Sequence, residues 1–239
     1  MKIVTAHQPA YMPWLGLFHK IMLADVFIIM NNVQFEKNSY INRNKILQNG
    51  KSVWLTIPVV KKDYKNKTIS EIEVTNNIWK KKHFKTIRQA YSKSFYYNEV
   101  MPIIEDVYNV NSKYLIDYTN RAFFNIISYL EIGTTIIMAS DLNISSSKLE
   151  YVIELTKKLA GDLFIFGSYG EDYADTNKLK ENFIIPYFQR YNHPEYKQFN
   201  SNEFISHLSV LDLLFNYGQQ SKEIIMENNI SKKNLLKAI

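Results

Sequence analysis

His7 stands in the stretch TAHQPAYMPW, directly after a short apolar run, where a side chain would project from the rim of a sheet instead of packing between layers. A neutral imidazole there can take a proton from an attacking amine or hydroxyl, or donate a hydrogen bond to a developing oxyanion. It can equally cap the next helix or bond a neighbouring carbonyl. Gln8, Tyr11 and Trp14 crowd the same turn as candidate substrate contacts, and Pro9 and Pro13 stiffen it. The indole of Trp14 can wall a site or merely seal the core.

QFEKNSYINRNK (34–45) gathers Gln34, Lys37, Asn42, Arg43 and Asn44. A guanidinium is a planar fork of donors that grips phosphate or carboxylate, and amides read ribose or sugar hydroxyls. The alternative is an ordinary polar loop. The chain holds 7 glycines, and two of them, Gly167 and Gly170, lie three apart in FGSYGEDYAD with Tyr173 close behind. Such a loop can bring backbone N–H groups close to an anion or sugar ring, or simply turn the chain. It is neither a Walker nor a GxGxxG motif. YNHPEYKQF (191–199) adds His193, displayed in an extended conformation before proline, and Tyr196. His83 lies on a packing stripe, while His19 and His207 have no evident partner. Without HExxH or a close His/Asp cluster, no metal site is expected.

These residues need elements to hold them. Residues 2–6 read as a buried strand and 13–24 as a helix entered through Pro13. Residues 25–35 read as a second strand. SVWLTIPV (52–59) alternates like a strand, follows an Asn-Gly turn at 49–50, and has IEVT (72–75) as a possible partner. Helices are expected over 77–93 and 113–130, with Gly133 as a stop, then a strand at 134–140. A helix over 147–160 opens with Ser147 and Glu150 in capping-box spacing. Strands at 163–166 and 184–188 and a helix at 208–216 close the core. The alternation predicts an α/β fold: a mostly parallel sheet flanked by helices, with an antiparallel hairpin addition and a helical insertion. Ligands in such folds bind outside the carboxyl ends of the strands. One domain over 1–219 is expected, followed by a polar helical tail over 220–239.

Composition narrows the classes. Among 239 residues, 46% are hydrophobic and 14% aromatic, which excludes a disordered chain. No apolar run approaches the roughly 20 residues of a membrane-spanning helix, and the start lacks the long apolar region of a secretory signal, so a cytoplasmic location is expected. Zero cysteines exclude disulfides and thiolate chemistry. The net charge of +6 comes from lysines scattered along the chain, which argues against a nucleic-acid groove and suits smaller anions or an acidic carrier protein.

HQPAYMPWLGLFHKIMLADVFI, VQFEKNSYINRNKI, VWLTIPV, GSYGEDYAD, YNHPEYKQF and LSVLDLLFNYG together resemble, in the same order, the WbqC-like family of bacterial proteins, over residues 3 to 218. The resemblance implies association with surface-polysaccharide genes, including clusters whose sugar carries a glycine-derived group on a 4-amino-4,6-dideoxyhexose. It therefore implies aminoacyl or acyl transfer to a nucleotide-linked amino sugar, with no tightly bound cofactor. A noncatalytic sugar-nucleotide or glycan-binding protein is the alternative. Where the family commonly has acidic residues, as in DDVQF, this chain has Asn31 and Asn32, so a carboxylate role is not available there and His7 is the leading base. Arg43 with Asn42 is then expected to clamp a diphosphate, Gly167 to Gly170 to form a cradle, and His193 with Tyr196 to supply secondary contacts.

Overall fold

A computed structural model describes residues 1–199 and 201–239. The first apolar run is β1 (Ile3–His7), and Pro13 leads into α1 (Leu15–Leu23), which returns the chain to β2 (Val26–Ile29). All of β2 is buried, as in a strand covered on both faces. It stops well short of residue 35 because the Asn31 N–H turns back onto the Ile29 carbonyl.

A hairpin follows, β3 (Arg43–Gln48) with β4 (Lys51–Thr56). Asn49 and Gly50 both have positive φ (51° and 70°), the type I′ geometry that suits the twist of the flanking strands. The partner of β4 is thus β3, whose polar residues read as loop, and not IEVT. Residues 72–75 instead meet the chain beyond β4, through Val59 and Val74. The polarity of β3 misleads because Arg43 and Lys45 lie on its outer face while Asn44, Ile46 and Leu47 are buried.

The helical insertion comprises α2 (Ile78–Tyr91), α3 (Tyr97–Asn109) and α4 (Leu115–Tyr129). The stripes of α2 and α4 are buried as their spacing predicts. α3 has no counterpart in the sequence reading. Its Pro102 sits in the second turn, yet Val100, Ile104 and Val107 still bury one face. Next come β5 (Thr135–Met138), α5 (Lys148–Lys158), β6 (Leu163–Phe166), α6 (Thr176–Glu181), β7 (Ile185–Phe188), α7 (Val210–Tyr217), α8 (Ser221–Met226) and α9 (Lys232–Ala238). The expected capping box at α5 does not form: the Ser147 hydroxyl caps nothing, and Glu150 pairs with Lys178 instead.

The sheet is parallel, in the order β5-β2-β1-β6-β7. Val4, Val26, Ile28, Phe164 and Phe166 face α5 and α6. Phe27 and Ile29 face α1 and the insertion, in the largest core cluster. Residues 220–239 supply α8 and α9, and Leu235 of α9 is wholly buried with Ile3, Leu163 and Ile165. From β1 the chain steps outward to β2 and β5, then crosses to β6 on the other side. The order therefore reverses between β1 and β6, which is where crevices open in doubly wound sheets.

Candidate functional site

β1 and β6 pair from Ile3↔Leu163 to Thr5↔Ile165 and then part. Carbonyls alternate along β1. That of His7 accepts from the Met30 N–H on the β2 side, and that of Lys2 accepts from Leu163 on the β6 side, so Ala6 turns its carbonyl toward β6. The next rung would be the Gly167 N–H. Instead, the Ala6 carbonyl accepts from Lys20 Nζ at 2.9 Å, and the Gly167 N–H has no acceptor among the described residues. The ladder has opened into a gap at the carboxyl end of the central strand.

His7 stands at this gap, partly exposed. Its Nδ1 lies 2.7 Å from the Gln8 carbonyl. A carbonyl can only accept, so Nδ1 carries the proton, and the Nε2 lone pair has no partner among the described residues. The bond to a neighbouring carbonyl anticipated as the bland role of His7 is therefore real, and it fixes the tautomer. Burial, and then the charge of Lys20, lower its pKa to about 4 against the opposing Gln8 bond, so the ring is neutral at pH 7. Lys20 is 3% exposed, and burial lowers its pKa to about 8. Sequence reasoning missed it. The signal was a lysine inside the stretch LGLFHKIML, where all but one of the helical residues are buried.

Rings lead outward from the imidazole. His7 meets the Trp14 edge at 5.2 Å between centroids, Trp14 meets Tyr40 at 5.6 Å, and Tyr40 meets Trp54 at 5.9 Å. Arg43 lies 4.5 Å over the Trp54 ring and Lys45 4.9 Å from it. Tyr40 and Trp54 are each 41% exposed. Tyr40, just before the hairpin, and Trp54, Arg43 and Lys45 on it thus continue the surface that begins at His7. Tyr40, Lys45 and Trp54 were not among the sequence candidates, because hairpin register, not local sequence, puts Lys45 opposite Trp54.

Other candidates are spent on structure. Tyr11 is fully buried and its hydroxyl bonds Tyr108 at 2.7 Å and His83 at 3.1 Å, so it is packed in the core. Tyr196 gives its hydroxyl to buried Asp212. Burial raises the pKa of Asp212, which Tyr91 and Gln198 also bond. Asn42 donates to the Ile57 carbonyl from inside the hairpin, and only Arg43 of the expected clamp faces outward. That guanidinium also donates to the Asn38 carbonyl. Gln34 bonds the Lys65 carbonyl. Both nitrogens of His193 are engaged, by the Pro194 carbonyl and the His207 N–H, which leaves no free base. His19 bridges Gln189 and the Ile230 carbonyl.

The glycine pair divides. Neither glycine has positive φ. A Cβ on Gly170 would stand 2.4 Å from Phe166 Cβ, so this glycine serves close packing, whereas a Cβ on Gly167 would meet nothing within 4 Å. Tyr173 is exposed beside the Phe166 ring, and Gln8 lines a small recess with Leu17 and Phe123.

Asn31 is buried. It donates to the Ser70 and Ser140 hydroxyls and accepts from the Ser140 N–H, all at 3.0 Å. Asn32 accepts from Tyr151. A carboxylate could not make the donating bonds of Asn31, so the amide here fastens β2 to β5. A cavity of about 1060 Å³ opens at the opposite, amino end of β1, β2 and β5, where Asp25 and Lys232 neutralise each other at 2.5 Å. Among the described residues no group of three His, Asp or Glu side chains is placed to hold a metal ion, and no helix is long and apolar enough to cross a membrane.

Comparison with known proteins agrees with this arrangement of motifs. The uncharacterized protein Rv1507c of Mycobacterium tuberculosis is 29% identical over 227 residues, covering 94% of this chain and 98% of that protein. No solved structure matches the chain. The WbqC-like protein family matches residues 8–224, from the residue after β1 into α8, and the chain belongs to that family.

Proposed function

We propose that this protein is a cytoplasmic transferase of bacterial surface polysaccharide (O-antigen) biosynthesis, moving an aminoacyl group such as glycyl, or another acyl group, to the amine of a nucleotide-linked amino sugar. The observation that carries the reading is His7, neutral at pH 7, with its proton committed to Nδ1 and Nε2 free at the carboxyl end of the central strand. The amine attacks the carbonyl of an activated donor such as a thioester. The C–N bond forms, the C–S bond breaks, and the amine proton passes through Nε2 to the departing thiolate. No covalent enzyme nucleophile is required. Trp14 walls the site, and Tyr40, Trp54, Arg43 and Lys45 offer rings and cations to the nucleotide. The net charge of +6 suits an acidic acyl carrier as donor.

Incubation with an amino-sugar nucleotide and a carrier-bound glycyl thioester, followed by mass spectrometry, tests this. The expected product is the amide, formed at least about a hundredfold more slowly by His7→Ala. The second reading, noncatalytic sugar-nucleotide binding, is favoured by the weak basicity of an imidazole with pKa about 4. Saturable nucleotide binding without amide formation would select it.

A further inference from the structure

Lys20 is a buried ammonium without an anion. Of its three N–H donors, one has an acceptor among the described residues, the Ala6 carbonyl. It has no ion pair among the described residues, and burial alone shifts its pKa. An uncompensated buried charge is costly and calls for a counter-charge. The groups around it supply none. His7 is neutral and carries its proton on the Gln8 side, the Thr5 hydroxyl donates to the Ile165 carbonyl, and the His19 ring is occupied by Gln189 and Ile230.

A second observation points to the same place. The Gly167 N–H, the rung that would have met the Ala6 carbonyl, has no acceptor among the described residues, and the space beside its Cα is open. The ammonium holds the carbonyl that this amide would have bonded, so the two donors border one gap, the reversal point between β1 and β6. A backbone amide without an acceptor and a buried ammonium without a counter-charge, bordering one gap between two strands, are the elements of an anion site.

We propose that the β1/β6 crevice is an oxyanion-binding site, where Lys20 Nζ and the Gly167 N–H hold a carboxylate or phosphoryl oxygen of the ligand. This goes beyond the transferase reading and does not depend on it, since a noncatalytic binder would use the same site. An anion seated here also cancels the Lys20 charge felt by His7, which would make the imidazole more basic once ligand is bound.

The test uses the full chain with ¹⁵N-glycine label, titrated at pH 7 with inorganic phosphate and separately with acetate, ionic strength held with chloride. The Gly167 amide resonance should shift saturably, and the stronger of the two anions identifies phosphoryl or carboxylate preference. Lys20→Met should weaken binding about tenfold or more, whereas Lys20→Arg should retain it. A Gly167 resonance unmoved by both anions overturns the proposal, as does equal affinity in Lys20→Met. Should Lys20→Met fail to fold, wild-type protein decides: binding should weaken about tenfold or more between pH 7 and 9.5 as the free ammonium deprotonates. Constant affinity across that range overturns the site. Neither result depends on any transferase assay.

Discussion

The guanidinium of Arg43 lies 4.5 Å over the indole of Trp54, across the hairpin from its own strand. Lys45 approaches the same ring, and Tyr40 extends the platform toward Trp14 and His7. The cations flank the indole while leaving it 41% exposed.

Trp54→Ala should therefore weaken binding of a nucleotide-linked amino sugar by about 1–3 kcal/mol, the range for one base stacked on an aromatic side chain. Calorimetry on wild type, Trp54→Ala and Tyr40→Ala would read it. Thermal stability should barely change, because the ring is a surface group. Unaltered affinity in both variants would remove the hairpin from the ligand site.

Gly167 and Gly170 should respond oppositely to alanine. Gly170→Ala forces its Cβ to within 2.4 Å of Phe166 Cβ, an overpacking that should cost about 1–3 kcal/mol in urea unfolding. Gly167→Ala meets no atom within 4 Å, so its stability should stay within about 0.5 kcal/mol. Anion binding at its N–H should weaken, because the added methyl group stands beside that amide. Equal stabilities for the two variants would contradict the packing role of Gly170.

Acid should destabilise the fold through His7 and His83, whose pKa values are both lowered to about 4, chiefly by burial. The unfolded chain binds these protons near the ordinary histidine value of about 6.5 and the folded chain does not. Stability present above that value is thus lost as pH falls through it toward 4, by about 3 kcal/mol per histidine. His19 and His193, also lowered by burial, act in the same direction. His83→Gln should flatten the dependence by one proton, measured as urea midpoints at pH 7 and 4.5. An unchanged slope would count against the buried, neutral state of His83.

Asp212 should tolerate asparagine better than alanine. Its carboxyl accepts from Tyr91, Tyr196 and Gln198, so Asp212→Ala strands three buried donors and should cost about 3 kcal/mol or more. Burial raises its pKa, so the unfolded chain releases this proton more readily, and folding loses stability as pH rises from the ordinary carboxylate range. Asp212→Asn removes that penalty. Its deficit against wild type should shrink between pH 4 and 7 in parallel denaturant titrations, and a widening deficit would reverse the assignment.

Much of the architecture was legible without coordinates, because hydrophobic spacing and turn chemistry are local. The runs at 2–6 and 163–166, the stripes of α2 and α4 and the Asn49-Gly50 turn identify their own elements, the first one residue early. α3 escaped because Pro102 mimics a break, and β3 because its outward Arg43 and Lys45 resemble a polar loop. His7 was recognisable from its place at a strand end, a position defined within a few residues of chain. Lys20, Tyr40 and Trp54 were not, since their importance rests on what lies opposite them: a carbonyl freed where β1 and β6 part, and rings brought together by hairpin register. For the same reason Tyr11 and Tyr196 look like ligand contacts in the sequence and prove to be core. Residue type and spacing specify which chemistry a side chain can perform. Burial and hydrogen-bond partners, which depend on segments distant in the chain, decide whether it is free to perform it.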